Sequence, residues 1–131
     1  MAIVLDASSL IAKLTSSESF AQQIFDLTEN EIVISPDLIL LEVTSGLYKM
    51  NLRKLISKEL FNNVFKQLQN EDIKLIPSKD LIINMNELLG NITAYDASYV
   101  NLARILNIPL CTSDKKLAKA ASPYCQVICF A

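Results

Sequence analysis

The sequence predicts an α/β sandwich around a mostly parallel sheet, and three observations carry that reading. Short apolar runs alternate with longer segments of helical period. The runs are almost free of charge, as strands buried on both faces require. No Gly/Ser/Pro-rich linker, repeat or low-complexity tract interrupts the chain, so residues 1–131 read as a single domain. At 131 residues, 51% of them hydrophobic, the chain has enough apolar surface for one well-filled core.

The elements follow in order. Ala2-Ile3-Val4-Leu5 is an uncharged strand. Thr15-Ser16-Ser17-Glu18 has capping-box form and opens a helix that runs to Asn30. Ile32-Val33-Ile34 is the next strand. Ser35-Pro36 places a capping hydroxyl before a proline at the first helical position, with the pattern continuing through Leu38, Leu41, Ser45 and Tyr48. A further helix spans Ser57 to Leu68, followed by the strand Ile73-Lys74-Leu75-Ile76 and a helix from Ser78 to Leu89. Thr93 to Leu106 is helical, Pro109-Leu110-Cys111 is a strand, Asp114 to Ala121 is helical, and Val127-Ile128-Cys129-Phe130 is the last strand. In sheets of this kind ligands bind at the carboxyl edge of the strands.

Two scarcities restrict the chemistry. The chain has no histidine, which excludes Ser-His-Asp and Cys-His pairs, a His-bound zinc and a histidine base. Its two glycines, Gly46 and Gly90, form no cluster, so neither a Walker loop nor a GxGxxG turn can be built. Cys111, Cys125 and Cys129 lack zinc-ribbon spacing and fit a reduced compartment, with one bond from Cys125 or Cys129 to another thiol as the alternative. The amino terminus has no basic region ahead of its apolar run, and no apolar stretch reaches the roughly 18 residues of a membrane span. A soluble cytoplasmic protein with no membrane partner is the expectation.

Most of the 14 acids fall in turns or on polar helix faces, but four do not. Asp6 ends the first strand, and Asp114 follows the fourth. Asp96 opens a helix, and Glu42 sits among apolar neighbours in Leu38-Ile39-Leu40-Leu41-Glu42-Val43. Taken singly, Asp6 and Asp114 also read as helix caps, and Thr93 with Asp96 has capping-box form. Glu42 also reads as part of a solvated stripe with Ser45, Lys49 and Arg53. Geometry joins the four. In a parallel sheet Asp6 and Asp114 leave strands at one edge, Asp96 begins a helix there, and Glu42, about two turns into its helix, leans over it. Two carboxylates about 4 Å apart repel by roughly 4 kcal/mol at an effective dielectric of 20, so four together call for a cation. An oxygen-only ligand set suits Mg²⁺ or Mn²⁺. A metal held this way activates water and clamps a phosphate for in-line displacement, which needs no histidine. Ser8 and Thr112, each two residues from an acid, are placed to orient water or hold a phosphate oxygen, or to make local turn bonds.

These residues make the chain resemble the PIN-domain family, in particular its small single-domain VapC-like toxins. The resemblance runs through Ile3-Val4-Leu5-Asp6-Ala7-Ser8, Leu41-Glu42-Val43, the Tyr95 to Ala103 block and Pro109-Leu110-Cys111-Thr112-Ser113-Asp114. It implies a three-layer α/β/α sandwich with a five-stranded parallel sheet and one acidic pocket. Asp6, Glu42, Asp96 and Asp114 fall on the family's four acidic positions, to which it implies both catalysis and metal binding, and Ser8 and Thr112 fall on its small hydroxyl positions. The implied activity is endoribonuclease cleavage dependent on Mg²⁺ or Mn²⁺. A homodimer and an antitoxin partner are implied as well.

The net charge of −2, from 12 bases and 14 acids, looks unfavourable for RNA. Setting the four pocket acids aside leaves ten acids against twelve bases, a mildly basic remainder. Lys49, Arg53, Lys54 and Lys58 form one cluster, Lys115, Lys116 and Lys119 another, and Lys13 lies between Asp6 and the next helix. Lys13, Lys49, Arg53 and Lys115 are the candidates for guiding an RNA backbone, and each also reads as an ordinary solvated cation. Tyr95 and Tyr99 bracket Asp96 and are candidates for base stacking, although Tyr99 shares helical spacing with Leu102 and Ala103, which suits the core. The segments from Ser16 to Asn30 and from Pro36 to Gln69 are the expected partner groove. Two other readings stand beside the nuclease. One is a phosphatase with an aspartyl nucleophile at Asp6, though Asp6-Ala7-Ser8 lacks the second acid of a DxD turn. The other is a non-catalytic interaction module of the same fold, pairing with a partner protein or RNA.

Overall fold

A computed structural model describes residues 1–130 and places the uncharged run Ala2–Leu5 at the centre of the sheet as β1. It pairs in parallel with β2 (Ile32–Pro36) on one side and β4 (Leu110–Thr112) on the other, which is why Ile3, Val4 and Leu5 are apolar on both faces. Beyond them lie β3 (Lys74–Ile76) and β5 (Val127–Cys129), giving a five-stranded all-parallel sheet in the order β3-β2-β1-β4-β5. The strand order reverses between β1 and β4, which opens a crevice at their carboxyl ends. The helices are α1 (Ala7–Thr15), α2 (Ser19–Asn30), α3 (Ile39–Leu52), α4 (Lys58–Gln69), α5 (Ala94–Leu106) and α6 (Lys115–Ala121). Helices α1 to α4 pack against one another, while α5 packs across β1, β2 and β4, completing the three-layer α/β/α sandwich.

Three local expectations are corrected. Ser35-Pro36 does not start a helix. Both residues extend β2 by pairing with Leu75 and Ile76, and the Ser35 hydroxyl donates to the Leu5 carbonyl at 2.6 Å instead of capping. Thr15 to Glu18 does not form a capping box. Thr15 ends α1, with its hydroxyl on the Ile11 carbonyl, and α2 begins at Ser19 with no side-chain cap. The helix expected from Ser78 to Leu89 is two 3₁₀ turns, Ser78–Leu81 and Met85–Glu87, separated by Asn84 at φ 55°. Its carbonyls are met from outside: Asn101 donates to Leu81 O and Ile83 O, and Arg104 to Asn84 O. As expected, two helices follow before Gln69, α3 and α4, and Lys54 takes φ 58° in the turn between them.

Helix α1, directly after β1, was legible only as a possible cap at Asp6. It crosses α3 closely at Gly46, where an added Cβ would lie 2.5 Å from Ile11 Cδ1 and would make the end of that side chain shift.

Candidate active site

The crevice between β1 and β4 collects the four singled-out acids, each delivered by a different element. Asp6 leaves β1 and is the N-cap of α1, its Oδ1 accepting from Ser9 N at 2.9 Å. Asp114 follows β4 and caps α6, accepting from Lys116 N and Leu117 N at 2.9 and 3.1 Å. Asp96 lies in the first turn of α5, whose N-cap Thr93 accepts from the Asp96 amide. Because β2 runs on through Pro36, Glu42 stands in the first turn of α3 rather than two turns in, closer to the carboxyl edge than expected. The capping readings of Asp6 and Asp114 are therefore correct and compatible with a shared site. A strand-to-helix turn puts the cap residue at the carboxyl edge of a parallel sheet.

Asp6 is the most enclosed, at 3% exposure. Thr112 Oγ1 donates to its Oδ2 at 2.5 Å, and Ser8 Oγ lies 2.9 Å from both oxygens. The Ser8 and Thr112 hydroxyls, expected at a phosphate oxygen or a water, are thus directed at Asp6. Ser113 extends the network, its hydroxyl 3.1 Å from Ser8 Oγ. With both oxygens occupied and almost no exposure, Asp6 is not presented as a free nucleophile.

The electrostatics link all four acids. Burial pushes the Asp6 carboxyl above its ordinary range, although the hydroxyls and the Ser9 amide pull the other way. Glu42 is raised by burial and further by the charges of Asp96 and Asp6, against the pull of the Tyr99 hydroxyl. Asp96 is raised by burial and by Asp114. Tyr99 OH donates to Glu42 Oε1 at 2.6 Å, and burial with the adjacent carboxylates pushes the phenol upward, so it stays a donor. A field shared by four hard oxygen donors matches the chemistry of Mg²⁺ or Mn²⁺. As the side chains lie, no three acidic or cysteine groups among the described residues stand close enough to enclose an ion. The fit is one of donor type and charge.

The PIN domain family matches residues 3–123. This chain belongs to the PIN-domain family. It is 30% identical over 125 residues to a VapC ribonuclease of Mycobacterium bovis and to ribonuclease VapC9 of Mycobacterium tuberculosis, covering 95% of this chain and of each relative. Ribonuclease VapC1 of Mycobacterium tuberculosis is also 30% identical over 125 residues. Among solved structures, PAE2754 from Pyrobaculum aerophilum shares the fold at a TM-score of 0.67 and 20% identity, over 97% of this chain and 89% of that one. VapC20 of Mycobacterium tuberculosis, a Sarcin-Ricin loop cleaving toxin, does so at 0.65 and 16%, over 90% and 94%. VapBC2 from Rickettsia felis, bound to a DNA fragment from their promoter, does so at 0.60 and 15%, over 98% of each chain.

Not every expected residue joins this PIN-domain pocket. Lys13 lies within α1, where its ammonium pairs with Glu71 at 3.0 Å and sits 5.6 Å from the centre of the Phe25 ring. That pair lines a cavity of about 480 Å³ with Leu5, Val33 and Ile73, so the structure places Lys13 in an ion pair and not beside the four acids. Lys49 and Arg53 are exposed but lie roughly 10 and 16 Å along α3 from Glu42, at its far end. Lys115 is the candidate cation placed beside the pocket, exposed at the first position of α6 next to Asp114. Tyr95 is 67% exposed in the first turn of α5, whereas Tyr99 is buried in the core at 1%. The bond from Tyr99 to Glu42 escaped sequence reasoning. Its one signal is the spacing of three from Asp96, which puts both on one helix face. All three cysteines are free thiols, with Cys111 buried and pushed up to about 12. Among the described residues no helix is long and apolar enough to cross a membrane.

Proposed function

We propose that this chain is an endoribonuclease that hydrolyses RNA phosphodiester bonds with a divalent cation, and that it is the toxin of a toxin–antitoxin pair. The observation that carries the reading is the convergence of four carboxylates, from four elements, on the crevice between β1 and β4. Likeness to VapC ribonucleases at 30% identity over 95% of the chain supports it. Asp6, Glu42, Asp96 and Asp114 would hold Mg²⁺ or Mn²⁺, the ions that an oxygen-only set suits. Such an ion, when bound, supplies a Lewis acid at a phosphoryl oxygen and acidifies water.

The chain's own groups prepare the site. Ser8 and Thr112 hold the Asp6 carboxylate in one orientation, with the Ser9 amide as a third donor. The raised carboxyls of Glu42 and Asp96 make them better proton acceptors near neutral pH than ordinary carboxylates. Lys115, at the pocket rim, offers charge to the phosphate backbone. Tyr95, exposed beside Asp96, offers a ring for a base. Exposed Leu41, Tyr48, Leu52 and Leu55 on and after α3 supply apolar surface for a homodimer or an antitoxin.

An RNA cleavage assay in Mg²⁺ tests the assignment. Asp6→Asn and Asp96→Asn should each lower cleavage by about 100-fold while circular dichroism shows the fold unchanged. Undiminished cleavage in both variants would remove these residues from the site.

A further inference from the structure

We propose that Tyr99 is a positioning residue for Glu42, its hydroxyl fixing a long pocket carboxylate that no backbone amide holds. This rests on the nuclease reading above. Asp6 is anchored by the Ser9 amide and two hydroxyls, and Asp114 by two amides of α6. Among the described residues the Asp96 carboxylate accepts from no backbone amide either, but it is a short side chain in the first turn of a capped helix. Glu42 differs. Its side chain is longer by one rotatable bond, and among the described residues its carboxylate has one hydrogen-bonding partner, Tyr99 OH at 2.6 Å from Oε1. Without that donor, repulsion from Asp6 and Asp96 would drive Glu42 toward rotamers that carry its charge out of the pocket.

Tyr99 suits the task because it cannot easily move. Its ring is 1% exposed within the hydrophobic core, and α5 packs on β1 and β2. It follows Asp96 by three residues, so one helix face presents an acid and, one turn later, the tether for another acid. A phenylalanine would fill the core equally well. The buried hydroxyl needs an acceptor, and the acceptor it meets is a pocket carboxylate rather than a backbone carbonyl. The bond also ties α3 to α5, fixing Glu42 relative to Asp96.

The test is a double-mutant cycle of Tyr99→Phe and Glu42→Gln, with Mn²⁺ affinity read by calorimetry and RNA cleavage by initial rates. Tyr99→Phe should weaken Mn²⁺ binding by about 10-fold and lower kcat with little change in KM. In the Glu42→Gln background the same substitution should change Mn²⁺ affinity less than about 2-fold, because the group it acts through is gone. Equal losses in both backgrounds, or wild-type affinity and cleavage in Tyr99→Phe, would overturn the inference. So would a Tyr99→Phe chain that circular dichroism shows unfolded at 25 °C, since the hydroxyl would then serve the fold. An unsubstituted chain that neither binds Mn²⁺ nor cleaves RNA overturns the nuclease reading itself, before any variant is compared.

Discussion

Asn101 is fully buried and donates through Nδ2 to Leu81 O at 2.7 Å and Ile83 O at 2.9 Å, while its Oδ1 accepts from Arg104 at 2.9 and 3.2 Å. One side chain thus meets the carbonyls that a continuous helix over residues 78–89 would have met internally, and the chain can turn at Asn84 instead. Asn101→Ala leaves the Leu81 and Ile83 carbonyls without this donor and takes one acceptor from Arg104, which keeps Asn84 O and Glu87. It should cost about 2–3 kcal/mol in urea denaturation and speed hydrogen exchange across residues 81–88. The apolar period of this segment was legible in the sequence, but the partner that replaced its helical bonds lies some twenty residues away. Lys13 repeats the lesson. Its charge was visible, yet Glu71, 58 residues later, takes it.

At the scale of elements, caps were readable where the local bond is the whole story. Ser57, Thr93 and Asp114 each cap the expected helix, accepting from Leu60, Asp96 and Lys116 amides. Ser35-Pro36 has the same local grammar but yields to sheet pairing, because β3 offers Ser35 and Pro36 a parallel partner that the sequence nearby does not announce. The break between α3 and α4 shows the cost of having few glycines. Lys54 holds a left-handed backbone, φ 58°, that favours glycine and is exposed there. Lys54→Gly should raise stability by about 1 kcal/mol, measured as a higher urea midpoint at constant slope. An unchanged or lower midpoint would mean that the side chain contributes more than its backbone strain.

For the whole molecule, the pocket is a stability liability. The carboxyls of Asp6, Glu42 and Asp96 are all raised, by burial first. A raised carboxyl favours the fold when protonated, so its contribution is fully present below the ordinary 3.8 for Asp or 4.5 for Glu and is lost as pH rises through the raised value. The Tm of the metal-free protein should therefore fall as pH rises above the ordinary 3.8 to 4.5 of these carboxyls in calorimetric scans. The fall should be shallower in Glu42→Gln with Asp96→Asn. Mg²⁺ at about 100 times its Kd should restore roughly 2.7 kcal/mol at neutral pH. By itself the sequence determined the α/β class, the central strand, the four acids and the exclusion of histidine chemistry, because apolar period, capping residues and absent residue types are properties of short stretches. Tertiary structure alone decided that β2 runs through Pro36 and brings Glu42 to the edge, that Lys13 is paired, and that Tyr99 reaches Glu42. Each of those depends on groups distant in the chain meeting across the sheet or between helices, and no local pattern encodes which partner arrives.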